Sequence, residues 1–230
     1  MKHTNLEKAR GVAKNFLYVD IAETRVPFVA SHPFTNSWFA VLPGEGIVDL
    51  HEPEMAKKWR ERKASVIEGS SLRDIFLMLN PAYILNFLKF VADDLSAEDL
   101  GKVLGGHWQN IEYTSFDRSM TGKQLLALFK KADKEHLMNE EERKVFSLLP
   151  ETVTVYRGVT SHNRRITKAV SWTTDKEVAR WFANRFDTGT GEVWTITVPK
   201  ERILCAFEGR EKELIVDLYG YKEQMTVEKA

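Results

Sequence analysis

The sequence predicts an α+β fold, in which a mostly helical first part precedes a mostly β second part. In the first part apolar residues recur at helical spacing, as in Thr121–Lys131. After Pro150 the pattern changes, and β-branched residues alternate with other types, as in Thr152–Arg157. The 230 residues are enough for one large domain, or two small ones, with a real core.

The first part opens with a predicted hairpin and continues with helices. The apolar runs Ser37–Leu42 and Ile47–Leu50 flank the turn residues Pro43–Gly46. Residue types at the helix starts match known capping preferences. The predicted helices are Glu54–Glu68, Ser71–Leu79 capped by Ser70 or Ser71, Ala82–Asp93 opened by Pro81, Ser96–Trp108, Thr121–Lys131, and one from Asn139 to near Leu149.

The second part reads as strands with one helix among them. An amphipathic helix is expected from Asp175, as its N-cap, through Phe186. The predicted strands are Thr152–Arg157, Ala169–Thr174, Glu192–Val198, Ile203–Phe207 and Leu214–Tyr219.

Charge and cysteine content exclude several classes of protein. Lys plus Arg and Asp plus Glu are both 33, which argues against a general nucleic-acid binder. A basic helix face around Trp59 is interpreted as solvated, with a nucleic-acid or acidic-partner surface as the alternative. The single cysteine, Cys205, lies in an apolar run, which excludes a disulfide framework and predicts a buried thiol. The six histidines have no zinc-ligand spacing, so no metal is expected.

The sequence also bears on localisation. The first fifteen residues are charged and lack the apolar segment of a secretory signal. The most apolar stretch, Ile75–Val91, is interrupted by Asn80, Pro81 and Lys89, which is typical of a core helix rather than a membrane span. We therefore expect a cytoplasmic protein with no membrane partner.

Polar residues accompany the first two strands of the second part. Arg157 ends the first strand, where its guanidinium is suited to gripping a phosphate or carboxylate. Gly158 follows it and would allow a ligand to approach closely. Ser171 and Thr173 place two hydroxyls on one face of the second strand.

Two glutamates precede the last predicted strand. Because residues i and i+2 of a strand point to the same face, we expect Glu211 and Glu213 to project from one face at the start of this strand. Their like charges would then repel each other. Taken singly, each of these features is ordinary. A strand-end arginine is usually ion-paired, and a Glu-x-Glu is usually a solvated edge.

Their joint order resembles a known signature. Tyr-Arg-Gly, then Ser-x-Thr, then Glu-x-Glu before aliphatic residues resembles the Arg-Ser-Glu signature of mono-ADP-ribosyltransferases of the cholera-toxin-like group, over about Val153–Tyr219. The same stretch is similar to transferase-like domains carried by phages and prophages. The residues that carry this second resemblance are Ser171-Trp172-Thr173, Trp181-Phe182, Val198-Pro199 and Glu211–Asp217. One departure is Trp172, which stands at the middle of a motif that is usually Ser-Thr-Ser.

The resemblance implies a fold, a substrate and a partner. The fold is a helical N-terminal half followed by an ADP-ribosyltransferase-like core of two small packed β-sheets. The substrate is NAD, and no metal takes part. ADP-ribose would pass to an arginine of a target protein. Residues 1–100 would form a hairpin and helical extension that shapes target recognition, and residues 101–230 the catalytic domain. A phage or bacterial toxin-like effector fits this description.

The resemblance also implies residue roles. Glu213 would stabilise positive charge on the ribose as nicotinamide leaves, and Glu211 would take the proton of the acceptor arginine. Arg157 would hold the NAD phosphates or the adjoining ribose, and Trp172, Trp181 or Phe182 would stack on nicotinamide. The expected catalytic residues are Glu213, Glu211 and Ser171, and the expected NAD-binding residues are Arg157, Gly158, Ser171, Trp172, Thr173 and Phe182.

Some alternatives stay open. Water could replace arginine as the acceptor, which would make the protein an NAD glycohydrolase. The fold could also be a catalytically degenerate binding or inhibitory module. His107, Trp108 and Glu112 either line the site or end a packed helix.

Overall fold

The computed structural model describes residues 3–111, 119–161, 163–164, 169–185, 189 and 191–230. The chain divides into two compact units. The first unit is Met1–Ser96 with Asn110–Glu112, and the second is Ala97–Gln109 with Tyr113–Ala230. The sequence-based boundary was after residue 100. Helices predominate before Pro150 and strands after it, which confirms the predicted α+β class.

The first unit combines helices with two small antiparallel sheets. Its helices are α1 (Leu6–Leu17), α2 (Pro53–Gly69), α3 (Leu72–Met78) and α4 (Ile84–Val91). Its strands are β1 (Ala22–Glu23), β2 (Val29–His32) and β3 (Thr35–Ser37) in one sheet, and β4 (Phe39–Leu42) and β5 (Gly46–Asp49) in the other. The β4–β5 pair confirms the predicted hairpin, with Gly44 and Gly46 at φ values of 86° and 79° in its turn.

Caps in the first unit follow the predicted chemistry in part. Ser71 caps α3 in a capping box with Asp74, so the cap is Ser71 rather than Ser70. Pro81 opens a 3-10 turn, Pro81–Tyr83, and the α-helix begins only at Ile84. Helix α1 is an element that the sequence analysis did not predict.

A buried histidine lies in the first unit. His32 has no exposed surface. Its Nδ1 accepts the Phe34 N–H at 3.0 Å, and its Nε2 lies 3.2 Å from the Leu17 carbonyl oxygen. The first contact requires an unprotonated Nδ1, so the ring is neutral and donates through Nε2. Burial lowers the pKa of His32 to about 4.

The basic face of α2 is used partly within the first unit. Arg60 donates through Nε to the Leu17 carbonyl oxygen at 3.3 Å and through Nη2 to the Val19 carbonyl oxygen at 3.2 Å. Lys58 pairs with Glu45 at 2.6 Å. These contacts support a structural role for this face.

Helices and a larger sheet build the second unit. The helices are α5 (Ala97–His107), followed by a 3-10 turn at Trp108–Asn110, then α6 (Gly122–Lys131), α7 (Lys134–Leu137), α8 (Glu140–Leu148) and α9 (Lys176–Asn184). Thr121 and Asn139 cap α6 and α8 in capping boxes. Asp175 caps α9 as predicted, while the predicted end at Phe186 lies outside the described residues.

Six antiparallel strands of the second unit form one sheet. They are β6 (Thr152–Val159), β7 (Ser171–Thr173), β8 (Glu192–Pro199), β9 (Ile203–Phe207), β10 (Glu213–Val216) and β11 (Thr226–Lys229), in the order β11-β8-β6-β7-β10-β9. Only one residue pair, Tyr156 with Thr173, joins β6 to β7. The resemblance implies two small packed sheets. The structure instead has one sheet, whose two three-stranded halves are joined at this residue pair.

The two halves of this sheet share one core. Val155 and Val198 from one half pack with Trp172, Leu214 and Val216 from the other. The strand order places non-consecutive strands side by side, so residues far apart in sequence become neighbours at the junction. The Cys205 thiol is fully buried, as predicted, and burial raises its pKa.

Among the described residues, no single helix has both the length and the apolar composition to cross a membrane. One helix pair passes such a test jointly, Leu72–Met78 with Pro81–Asp94, but it is bent by 115°.

Candidate active site

The three residues of the Arg-Ser-Glu pattern meet at the junction between the halves of the sheet. In the β7–β10 register Glu213 lies opposite Thr173 and Ile215 opposite Ser171, so Ser171 and Glu213 are diagonal neighbours on one face. The Ser171 side chain hydrogen-bonds to the Glu213 carboxylate. From β6, the Arg157 Nη1 donates to the Ser171 carbonyl oxygen at 2.5 Å.

A tryptophan from outside this pattern completes the surroundings of Glu213. The Trp108 Nε1–H donates to Glu213 Oε1 at 2.8 Å. Trp108 is 3% exposed, and its ring meets Phe129 edge-on with the centroids 4.8 Å apart. The sequence is compatible with two roles for Trp108, lining the site or ending a packed helix. The structure makes it both packed and a direct partner of Glu213.

Glu213 is a buried carboxyl group with opposing influences on its charge. It is 5% exposed, and burial raises its pKa above the ordinary value. The hydrogen bonds from Ser171 and Trp108 lower the pKa, as does the Arg157 charge, while the Glu211 charge raises it. The net direction is upward, so this carboxyl group is less acidic than an exposed glutamate.

Arg157 is a half-buried cation with unused donor capacity. Burial lowers its pKa to about 10, and the Glu213 carboxylate opposes that shift. The guanidinium is therefore still charged at neutral pH. Its Nε is buried and has no hydrogen-bond partner among the described residues. A buried, unpaired donor on a cation is costly, and an anionic ligand would satisfy it.

Glu211 is placed differently from the prediction. It is exposed and lies in the turn before β10, so only Glu213 belongs to the strand. Lys212 between them has a φ of 43°, which breaks the strand alternation and separates the directions of the two carboxylates. The Lys212 ammonium pairs with Asp175 at 3.0 Å. Desolvation raises the pKa of Glu211, and the Arg185 charge opposes this.

Gly158 packs against α9, and the predicted ligand contact at this position stays a prediction. A Cβ atom at this position would lie 2.6 Å from the Ala183 backbone nitrogen and 2.7 Å from Phe182 Cβ. The missing side chain therefore allows α9 to lie directly on β6. This packing holds the second half of α9, from Ala179 to Ala183, against the sheet.

Two other predicted NAD-binding residues also have structural roles. Trp172 is 2% exposed in the shared core, and its Nε1–H donates to the Ala169 carbonyl oxygen at 2.7 Å. Its ring faces are covered, so it is not a stacking platform. Thr173 is 6% exposed, and its hydroxyl accepts the Asp175 N–H at 3.0 Å in the turn before α9.

The remaining aromatic candidates lie on α9. Phe182 is half-buried and meets Trp181 edge-on, with the centroids 4.9 Å apart. Trp181 is 60% exposed, and the Arg185 guanidinium carbon lies 5.6 Å from its ring centroid. Of the three aromatic residues considered, only these two present a ring to solvent.

The sequence also makes His107 and Glu112 candidates for lining the site. His107 is partly buried, which lowers its pKa, and Glu112 lies outside the described residues. In the part of the chain that the structure describes, no cluster of three or more His, Cys, Asp or Glu side chains could hold a metal ion.

Comparisons with protein-family models, curated proteins and solved structures give no match. The functional interpretation therefore depends on the sequence resemblance and on the geometry around Glu213.

Proposed function

We propose that this chain is an NAD-dependent mono-ADP-ribosyltransferase, which transfers ADP-ribose to an arginine of a target protein and releases nicotinamide. The observation that carries the proposal is the convergence of Arg157, Ser171 and Glu213. They come from three strands and are separated by up to 56 residues in sequence, yet they are linked through Ser171. The order along the chain is the one in which the resemblance places them.

The surroundings of Glu213 suit a carboxylate that stabilises positive charge on the ribose. The bond between ribose and nicotinamide breaks with its electron pair leaving on nicotinamide, so positive charge develops on the ribose. A carboxylate stabilises such a charge, as in glycoside hydrolysis. Burial strengthens this interaction because little water screens it. The donors from Ser171 and Trp108 offset the tendency of burial to protonate the group.

The chemistry asked of Arg157 is anion binding. Its charge at neutral pH and its unpaired Nε suit a phosphate oxygen of NAD. The bond from Nη1 to the Ser171 carbonyl oxygen fixes the guanidinium plane in advance.

The acceptor step is assigned to Glu211. A free guanidinium has a very high pKa and must lose a proton as its nitrogen attacks. A carboxylate accepts this proton as the new bond to ribose forms. Glu211 is exposed and is therefore accessible to an arginine on another protein.

The test is incubation of the pure protein with labelled NAD and host lysate, followed by mass spectrometry of the modified residue. Glu213→Gln should abolish both nicotinamide release and labelling. Glu211→Gln should preserve nicotinamide release and lose transfer to arginine. Glu223→Gln, which changes another exposed glutamate, serves as the control. Equal loss of both activities in Glu211→Gln would refute the division of roles.

An NAD glycohydrolase is the second candidate, favoured by the observation that Glu211 lies outside the strand that carries Glu213. It predicts nicotinamide release by the pure protein without any labelled protein in the lysate. If wild-type protein neither releases nicotinamide nor gains thermal stability with NAD, both enzyme assignments fail and a binding or inhibitory module remains.

A further inference from the structure

The indole of Trp108 lies at the end of α5, in a segment that the motif resemblance does not cover. Its Nε1–H donates to Glu213 Oε1 at 2.8 Å, although 105 residues separate the two in sequence. The ring is 3% exposed and is held edge-on by Phe129. The N–H direction is therefore fixed by packing rather than free to rotate with solvent.

The chemical type of this donor distinguishes it from Ser171. An indole N–H only donates, whereas a hydroxyl donates or accepts. The Ser171 hydroxyl can therefore adapt to either charge state of Glu213. Trp108 can only donate, so it excludes a proton from Oε1 and its hydrogen bond is strongest when Glu213 is ionised. The hydrogen bond from Trp108 therefore favours the ionised form of Glu213 over the protonated form. It also fixes Oε1 as the carboxylate oxygen that the indole binds.

We propose that Trp108 is a positioning residue for Glu213, which it holds by Oε1 as the anion and in one orientation. Its consequence for catalysis rests on the proposed function, since a fixed anion is what stabilises positive charge on the ribose. The hydrogen bond itself and its effect on ionisation do not depend on that function.

Among the residues that the structure describes, three other ionisable groups interact with Glu213. Arg157 on β6 favours the anion, and Glu211 in the turn before β10 opposes it. On β9 the Cys205 thiol has a pKa raised by burial and by the Glu213 charge, so it stays protonated near neutral pH. Replacing Trp108 leaves all three unchanged in composition, so a change in Glu213 ionisation reports on the lost donor.

The direct test is an NMR titration of the Glu213 carboxyl carbon in the full chain, assigned with Glu213→Gln. Trp108→Phe keeps a buried ring and removes the donor. We expect the Glu213 pKa to rise by about one unit or more, the effect of a lost hydrogen bond to a charged group. Trp59→Phe removes a similarly buried indole, 5% exposed, from the first unit and should leave the titration unchanged. An unchanged Glu213 pKa in Trp108→Phe overturns the proposal.

Catalysis provides a second readout. In Trp108→Phe the acid limb of the rate of nicotinamide release should move to higher pH by the same amount, with kcat lowered and the KM for NAD unchanged. A shift of KM alone would assign Trp108 to substrate binding and contradict the positioning role. If wild-type protein releases no nicotinamide, the proposed function fails, while the titration still decides the role of Trp108.

A third measurement does not require the variant to fold. The Trp108 indole N–H resonance of wild-type protein should shift with pH at the Glu213 midpoint, and this shift should vanish in Glu213→Gln. An indole resonance that stays constant through the Glu213 titration overturns the proposal.

Discussion

His32 in the first unit and Glu213 in the second are both ionisable side chains with almost no exposed surface, 0% and 5%. Backbone groups of the first unit satisfy both ring nitrogens of His32. Glu213 is instead surrounded by side chains from three other elements. One of these side chains, Arg157, has a buried Nε with no hydrogen-bond partner in the described part of the chain. A group satisfied by backbone is typical of structure, whereas side-chain donors beside an unpaired cation are typical of a ligand site.

The largest expected effect is a loss of activity without a loss of stability when Glu213 is replaced. Glu213→Gln removes the charge but keeps the shape of the side chain. We expect nicotinamide release to fall by at least about a hundredfold, as when a key electrostatic group is lost. The free energy of unfolding should not fall at neutral pH, because the site raises the pKa of this carboxyl group and so favours a neutral side chain. Denaturant unfolding checks this, and a clearly destabilised variant would make Glu213 structural.

The second prediction concerns the opposite pH dependences of the two groups. His32 titrates near 6.5 when unfolded and near 4 when folded, so stability falls by about 3 kcal/mol as pH drops through that window. The Glu213 pKa is raised above 4.5 on folding, so its contribution is present at lower pH and lost as pH rises through the folded value.

Hydrogen exchange with mass spectrometry across pH measures each unit separately. His32→Gln should flatten the acid-side loss in the first unit, and Glu213→Gln should flatten the loss above pH 4.5 in the second. His3→Gln, at an exposed histidine, is the control. The comparison fails if the two variants alter the same side of the profile.

A third prediction tests the hydrogen bonds of His32 without titration. His32→Phe leaves the Phe34 N–H buried without its acceptor, while the Leu17 carbonyl oxygen keeps Arg60 as a donor. We expect a loss of about 2 kcal/mol in unfolding free energy at pH 7. NAD cleavage by the folded protein should be unchanged. His32→Gln, whose amide can both donate and accept, should lose less stability than His32→Phe.

The smallest expected effects come from the two hydroxyls of β7. Ser171→Ala removes a donor to Glu213 and should slow nicotinamide release by about tenfold. Thr173→Val removes the acceptor of the Asp175 N–H and should cost about 1 kcal/mol of stability with catalysis unchanged. Steady-state kinetics and thermal unfolding of both variants check this, and a slower Thr173→Val enzyme would restore the catalytic role that the motif implied.

Local patterns predicted local structure well in this chain. The helix starts at Thr121 and Asn139, the cap at Asp175 and the turn between β4 and β5 depend on interactions within a few residues, which the sequence displays directly. The exposed edge strand β11 was missed because only Val227 among its four residues is apolar, so it has no buried face to produce a signal.

The sequence predicted that Arg157, Ser171 and Glu213 lie together, and the structure brings them together, but the geometry around Glu213 was not predictable. Spacing by two residues predicted a shared face for Glu211 and Glu213, and the backbone at Lys212 overrides it. Trp108 reaches Glu213 only through the fold, so no local pattern marks it. Trp172 belongs to the sequence motif, yet its side chain is buried in the hydrophobic core of the second unit.

The packing at Gly158 affects how mutational data on this protein should be interpreted. A scan scored only by activity would rank Gly158 beside Glu213, since any side chain there collides with the backbone of α9. Scored by the amount of folded protein in the cell, the two positions would separate, with Gly158 depleted and Glu213 tolerated. A glycine adjacent to a candidate catalytic arginine can thus imitate a catalytic residue through its effect on protein abundance.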